Sequence, residues 1–353
     1  MRKIRNTAVC GIIALSLSAL GLTGCGNTVD GTATAVTVNG ETLNMGTANY
    51  ILRYSEATMN YMMTSYGFAE AGSLWSQEVE DGVTYGENYK SEIETSIEDM
   101  MLLSQNADEY GVVISDEDTA DMQEVGQEVY DTNQEVMDQI GVTADDIANA
   151  ARLYVIKSRI YDPMVADTDQ DVSDEEAAQS TITYCRIRIA TEDDDEGNTA
   201  DELNALYQEQ IQEVLDEALA SDNPSTFDIE TAAEEINEDF YTSEYSFGDD
   251  DTAMPDEMKE DMASMEDGEV SSKIYENDSF YYIFRLEKAF DREATDNNKL
   301  SIISDREQEN YESKLAALED AAEVTWSDEW NALTLTDANT YTSVAADTES
   351  TEG

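Results

Sequence analysis

The sequence predicts an α+β protein, on three observations. Apolar residues recur at helical spacing through the first half, strict alternation sets in at Thr181, and helical spacing returns at Lys299. Residues 1–25 stand apart from this pattern. Arg2, Lys3 and Arg5 give a positive start, an apolar run covers 8–22, and Leu22-Thr23-Gly24-Cys25 follows. So short a run, so weakly flanked, predicts a secretory signal and not a retained spanning helix.

Residues 26–35 are small and polar and read as a tether. Val36-Thr37-Val38-Asn39-Gly40-Glu41 alternates and turns at Asn39-Gly40, as a short strand does. Helical spacing over 45–66 predicts a first helix, and the glycines of 67–86 a loop-rich stretch. Ile93, Ile97, Met100, Met101 and Ala107 form the stripe of a second helix, with Gly111 as its stop. Ser115, followed by Asp116, Glu117 and Asp118, caps a third. Thr143 caps a fourth, whose face is Ile147, Ala151 and Tyr154. An acidic connector over 167–178 leads away.

The alternation over 181–189 puts Cys185, Ile187 and Ile189 on one face and Tyr184, Arg186 and Arg188 on the other, a half-buried strand. A loop at 193–197 and a helix over 201–220 follow. The second strand, 279–287, turns Phe280, Tyr282, Phe284 and Leu286 to one side. Helical spacing covers 299–322, and from 337 onward small acidic residues predict a disordered tail.

Composition narrows the function classes. Against 18 Lys and Arg stand 80 Asp and Glu, a net charge of −62 over 353 residues. Losing the signal would remove three basic residues and no acidic one. Such a charge repels nucleic acid and anionic lipid, so neither is expected as a direct partner. A hydrophobic share of 41% is ordinary for a folded chain. There is no histidine, which excludes Ser-His-Asp and Cys-His nucleophile systems and the usual zinc sites. The cysteines are Cys10, Cys25 and Cys185, so no internal disulfide is possible once the first two are processed or lipidated. Asp167, Asp169 and Asp171 open like a calcium loop, but Val172 stands where glycine is needed and Ala178 where a bidentate Glu is required.

The Leu-Thr-Gly-Cys ending resembles the lipobox of bacterial lipoproteins. That resemblance implies a lipidated Cys25, cleavage before it, and a protein tethered at the extracytoplasmic face of the cell membrane through its acyl chains alone. Four further segments occur in a telling order: Val38-Asn39-Gly40-Glu41, the run from Gly111 to Glu117, Gly141-Val142-Thr143-Ala144-Asp145-Asp146, and Val172-Ser173-Asp174-Glu175-Glu176. In that order they look like the chaperone core of PrsA- and SurA-type extracytoplasmic foldases. Residues 179–291 resemble, more distantly, a parvulin-type prolyl isomerase. The match rests on the strand at 181–189, the segment from Met254 to Met258, the turn Gly268-Glu269-Val270-Ser271, and the strand from Phe280 to Leu286.

The resemblance implies a discontinuous helical chaperone domain, residues 36–178 completed by a returning helix within 292–336, with the small α+β domain inserted. Its partners would be unfolded or partly folded secreted polypeptides, and it would need no cofactor and no metal. Met59, Met62, Met63 and Tyr66 are candidates for a client-binding groove, since flexible methionine-rich surfaces suit varied partners. They serve equally well as core.

Two departures bear on activity. Arg186 and Tyr282 stand where the parvulin-like pattern carries histidines. Tyrosine keeps an apolar body and a hydroxyl, whereas a fixed cation replaces a tautomer-switching ring at Arg186. Turning a prolyl bond crosses a barrier near 20 kcal/mol set by amide resonance. It calls for an apolar cradle and polar groups that favour the twisted amide. Phe247, Met254, Met258 and Tyr282 are the candidate cradle, and Arg186 or Tyr282 the polar contact, with Cys185 a weak one. Three readings follow: a chaperone with a retired isomerase domain, an active isomerase with a rearranged site, and an unrelated solute-binding or surface lipoprotein. The last calls for βαβ repeats or a sandwich pattern, and the sequence has neither.

Overall fold

The computed structural model describes residues 14–16, 29–69, 73–195, 197–337 and 341–344. Cys25 lies outside them, and no helix among the described residues is long and apolar enough to cross a membrane. The fold is α+β, in two units: one built from residues 1–167 and 309–353, the other from 168–308.

In the first unit, β1 (Ala14–Ser16) precedes a hairpin of β2 (Thr34–Val38) and β3 (Glu41–Asn44). Its turn places Asn39 at φ 52° and Gly40 at φ 84°, the left-handed pair a two-residue hairpin requires. Asn44 accepts from the Thr47 amide at 3.2 Å and so starts α1 (Met45–Ser65). A small hairpin, β4 (Glu78–Glu80) and β5 (Val83–Thr84), leads into α2 (Tyr85–Asn106). Next come α3 (Asp116–Thr132), α4 (Gln134–Ile140) and α5 (Ala144–Val165).

Ser115 and Thr143 cap α3 and α5 as their sequence context predicts. Their hydroxyl oxygens accept from the amides of Asp118 (3.0 Å) and Asp146 (3.3 Å), and each carboxylate accepts from the cap's own N–H. Such reciprocal caps are each worth about 1 kcal/mol.

The second unit carries β6 (Ser180–Arg188), α6 (Ala200–Ala220), α7 (Ile229–Ile236), β7 (Tyr241–Phe247), α8 (Asp256–Met262), β8 (Tyr275–Glu276) and β9 (Phe280–Lys288). Its sheet is antiparallel in the order β7-β6-β9-β8. Here the half-buried reading of β6 fails, because both faces of the sheet are covered. Cys185 and Ile187 pack with Ile211, Val214, Leu215 and Ile229 from α6 and α7. Ile182 and Tyr184 pack on the opposite side with Met258, Met262, Phe284 and Leu286. In β9, Tyr281 and Ile283 join the first core and Tyr282 and Phe284 the second. Tyrosine makes this two-sidedness hard to foresee, since its apolar body buries while its hydroxyl keeps a polar partner.

The chain then enters α9 (Arg292–Asp320), β10 (Val324–Trp326), α10 (Asp328–Asn331) and β11 (Thr342–Val344). The helix begins seven residues before the expected 299. Asp291 accepts from the amides of Glu293 (3.0 Å) and Ala294 (3.3 Å), while residues 292–298 hold one apolar side chain, Ala294, so no apolar spacing announces the helix start. β10 pairs with β2, Val324 opposite Val38 and Trp326 opposite Val36. Trp330 is fully buried; its indole donates to Glu94 at 2.6 Å, that of Trp326 to Glu98 at 2.6 Å, and the two rings stack at 4.7 Å.

Residues assigned by composition to a disordered tail are also engaged. Asp337 accepts from the amides of Trp75 (2.9 Å) and Ser76 (3.1 Å). The Tyr341 carbonyl accepts from Asn60 at 2.7 Å, and β11 pairs with β1.

Trp330→Ala should destabilise the first unit by about 3–5 kcal/mol, the cost of removing a buried large aromatic. All three tryptophans lie in that unit, so fluorescence-detected urea unfolding reads it selectively through Trp75 and Trp326.

Asp99 gives a second expectation. Burial, then the neighbouring Glu319 carboxylate, pushes its pKa up to about 7, and its Oδ1 is buried without a partner. A folded pKa above the unfolded value means that the folded state holds the proton longer. The stabilisation is complete below about pH 4 and is lost as pH rises toward 7. Asp99→Asn should flatten this slope, raising the melting temperature at pH 8 more than at pH 5.

Candidate functional site

Two surfaces qualify, one in each unit. In the first, α1 ends in aromatic and methionine side chains that no described element covers. Tyr66 is 74% exposed, Phe68 73%, Tyr61 45% and Met62 41%. The rings of Tyr66 and Phe68 lie 6.3 Å apart. Gly67, at φ 73°, lets the chain fold back, so that the amide of Phe68 reaches the Met63 carbonyl at 2.9 Å. Of the four groove candidates, Met62 and Tyr66 are thus presented to solvent, while Met59 and Met63 pack half-buried against the core. Tyr61 and Phe68 escaped the sequence reading. Phe68 follows a helix-ending glycine, where no periodicity marks it.

In the second unit, the candidate cradle residues meet on one face of the sheet. Phe247 ends β7, Met254 precedes α8, Met258 lies within it, and Tyr282 is central in β9. Together with Tyr275 and Phe284 they form one packed cluster. Met258 is 0% exposed and Tyr282 1%. The Tyr282 hydroxyl accepts from Asn277 Nδ2 at 3.1 Å. The cluster is therefore closed, and its accessible rim is Phe280, Tyr245 and Met265, all half-buried.

The loop before α8 is set by Asp251. Its carboxylate accepts from the amides of Ala253 (2.8 Å) and Met254 (3.1 Å) and from the Tyr245 hydroxyl (2.6 Å). That last bond pushes the tyrosine pKa up to about 12.

The turn at 268–271 is stitched to β9. The Gly268 amide donates to the Leu286 carbonyl (2.6 Å), Leu286 donates back to Glu269 (2.8 Å), and the Ser271 amide donates to Phe284 (2.8 Å). The buried Ser271 hydroxyl accepts from the Phe284 amide at 3.2 Å. Gly268 needs its φ of 88°, and any Cβ there would meet Ser225 at 2.6 Å. This turn borders a cleft of about 640 Å³ whose lining includes Pro224, Met265, Glu266, Glu269 and Tyr275.

Arg186 lies across from Tyr282 in the ladder, at the end of the same face. Its guanidinium stands over Phe280 at 4.2 Å, Tyr241 at 5.0 Å and Tyr184 at 5.6 Å. Among the described residues no carboxylate pairs with it, contrary to what so acidic a chain suggests. Cys185 points to the other face, fully buried, and burial pushes its pKa up to about 12. It is thus separated from Arg186 and Tyr282 by the sheet itself.

No family model and no curated protein matches this chain. Solved structures similar to it include the foldase protein PrsA from Streptococcus pneumoniae, at 17% identity and TM-score 0.31, covering 70% of this chain and 93% of that one. Another comes from work on the SurA-like chaperones PEB4 and Cj1289 of Campylobacter jejuni, at 10% identity and TM-score 0.28, covering 84% and 99%.

A buried thiol of this kind is unreactive until the fold opens. In the native chain at pH 8, the peptide bearing Cys185 should stay unmodified by a maleimide reagent, as read by mass spectrometry, and become labelled in urea.

Proposed function

We propose that this chain is an extracytoplasmic chaperone, tethered through a lipidated Cys25, that holds unfolded secreted polypeptides, and that its parvulin-like unit binds peptide without isomerising proline. The observation that carries the reading is the exposed cluster of Tyr61, Met62, Tyr66 and Phe68 in an otherwise strongly acidic chain. Exposed apolar groups grouped in this way mark interaction sites, and methionine and aromatic groups adapt to varied clients. The ordered resemblance to PrsA- and SurA-type foldases supports the same reading.

Two features of the second unit support the reading without isomerase activity. A cradle must admit a proline ring, whereas Met258 and Tyr282 are sealed in the cluster and the Tyr282 hydroxyl is taken by Asn277. Arg186 carries a permanent charge where a neutral group able to donate and accept would be needed. Tethering by acyl chains agrees with the net charge, because an acidic protein gains nothing from anionic headgroups.

The test pairs two assays on the same sample. The full chain should suppress aggregation of a chemically unfolded client, and Tyr66→Ser with Phe68→Ser should weaken that suppression several-fold. The melting temperature should hardly move, since exposed substitutions cost within about 0.5 kcal/mol. A protease-free assay on Xaa-Pro peptides should show no acceleration. Acceleration that disappears in Met254→Ala would instead establish an isomerase, and failure in both assays would end the chaperone reading.

A further inference from the structure

Every Lys and Arg described in the second unit, apart from Arg186 and Arg188, lies within ion-pair distance of a carboxylate. These two share the same face of β6, and both stand over Phe280, Arg188 at 5.3 Å. In a chain with 80 acidic residues, two neighbouring unpaired arginines need a physical account. Arg186 is held by its stem and ring contacts, with Nε buried and without any hydrogen-bond partner. Its terminal nitrogens are bonded to nothing among the described residues and are not among the buried unpaired atoms, so they form the end that meets solvent. Tyr241, 52% exposed, and half-buried Phe280 flank it.

We propose that Arg186 and Arg188, with Phe280 and Tyr241, form a carboxylate-recognising site for an extended client segment that carries an acidic residue beside apolar ones. The geometry suits that ligand. Rings stacked on a guanidinium fix its plane and leave its edge free, and that edge matches a carboxylate with two parallel hydrogen bonds. The flanking rings would take the neighbouring apolar side chains, and the exposed Arg188 would add a second charge. A basic segment is excluded by the two cations, and a neutral one leaves the free edge of Arg186 unanswered. This deepens the reading of the second unit as a peptide-binding module and rests on it.

The test measures anisotropy of labelled peptides binding to the full chain, at about 0.15 M salt so that distant carboxylates are screened beyond about 8 Å. The probes are capped extended peptides with Glu, Gln or Lys at one central position between aromatic residues, plus the Gln peptide with a free carboxyl terminus. The Glu peptide should bind about tenfold more tightly than the Gln peptide, the order of one charge-assisted contact. Arg186→Gln should erase that preference, bringing the ratio of Glu-peptide to Gln-peptide affinity to about one whatever the absolute affinity. Arg186→Lys should not restore it, because an ammonium neither stacks nor forks. Should Arg186→Gln fail to fold, Arg188→Gln, at an exposed position, should reduce the preference about threefold. A preference shown only by the free-terminus peptide would assign the site to chain ends and overturn the side-chain form of the proposal. Equal binding of Glu and Gln peptides overturns the site and leaves the peptide-binding reading standing. No binding of any peptide overturns both.

Discussion

The pairing of Val324, Thr325 and Trp326 with Val38, Thr37 and Val36 is the contact on which the first unit depends. A two-stranded hairpin such as β2–β3 is marginal in water by itself. Its third strand arrives from the far end of the chain, and with it come Trp326 and Trp330, whose indoles reach Glu98 and Glu94 on α2. The core around Ile97, Met100, Trp75 and Leu52 is complete only when that segment has returned. Closing so long a loop is less costly than it looks. Loop-closure entropy grows only logarithmically, about 0.6 kcal/mol per doubling of length. A whole second unit can therefore sit between the two parts of the first without undoing it.

What the sequence disclosed follows from where physics is local. Asn39-Gly40, Ser115 and Thr143 are turn and cap chemistry, decided within three or four residues, and each is where its sequence context places it. The start of α9 was hidden because residues 292–298 carry a single apolar side chain, Ala294, so the periodicity legible from 299 had nothing to show there. β7 was missed for a related reason: Tyr-Thr-Ser-Glu-Tyr-Ser-Phe alternates weakly, and its partner β6 supplies most of its definition. Within the stretch expected as a tail, Asp337 and Tyr341 are held by bonds to residues near 60 and 75, contacts that composition cannot express, while 338–340 and 345–353 lie outside the described residues. The candidate cradle residues Phe247, Met254, Met258 and Tyr282 share one cluster. Their accessibility was not legible, because it depends on how α8 and its loop cover the sheet.

The turn at 268–271 shows why a motif can outrun its meaning. It is the most specific piece of the parvulin-like resemblance, yet Gly268 and Ser271, which open and close it, are both bonded to β9. Gly268 provides a left-handed corner beside Ser225, and Ser271 closes a two-way bond with Phe284. A sheet of this topology needs that stitch whether or not any proline is turned. The motif therefore speaks for the fold and is silent on catalysis. The positions that would speak for catalysis are those of Arg186 and Tyr282, and there the chain departs from the pattern.

Recognition by so acidic a chain divides into two ranges. On the proposed reading, the field of its carboxylates, screened beyond about 8 Å at physiological salt, acts only in the last step of approach and favours basic or neutral segments there. Within contact distance, burial of apolar surface decides, and the proposed site at the end of α1 would be indifferent to the charge of what it binds. The Arg186 site belongs wholly to the second range. A segment with one acidic residue pays a small repulsion while approaching and gains a dehydrated, ring-supported contact once docked. Its selectivity should accordingly lie in how slowly the segment leaves, the usual place for affinity differences among related partners. A histidine at position 186 would be largely neutral at pH 7 and could not hold that carboxylate. Arginine at that place thus removes a group suited to moving protons and installs one suited to holding an acidic chain.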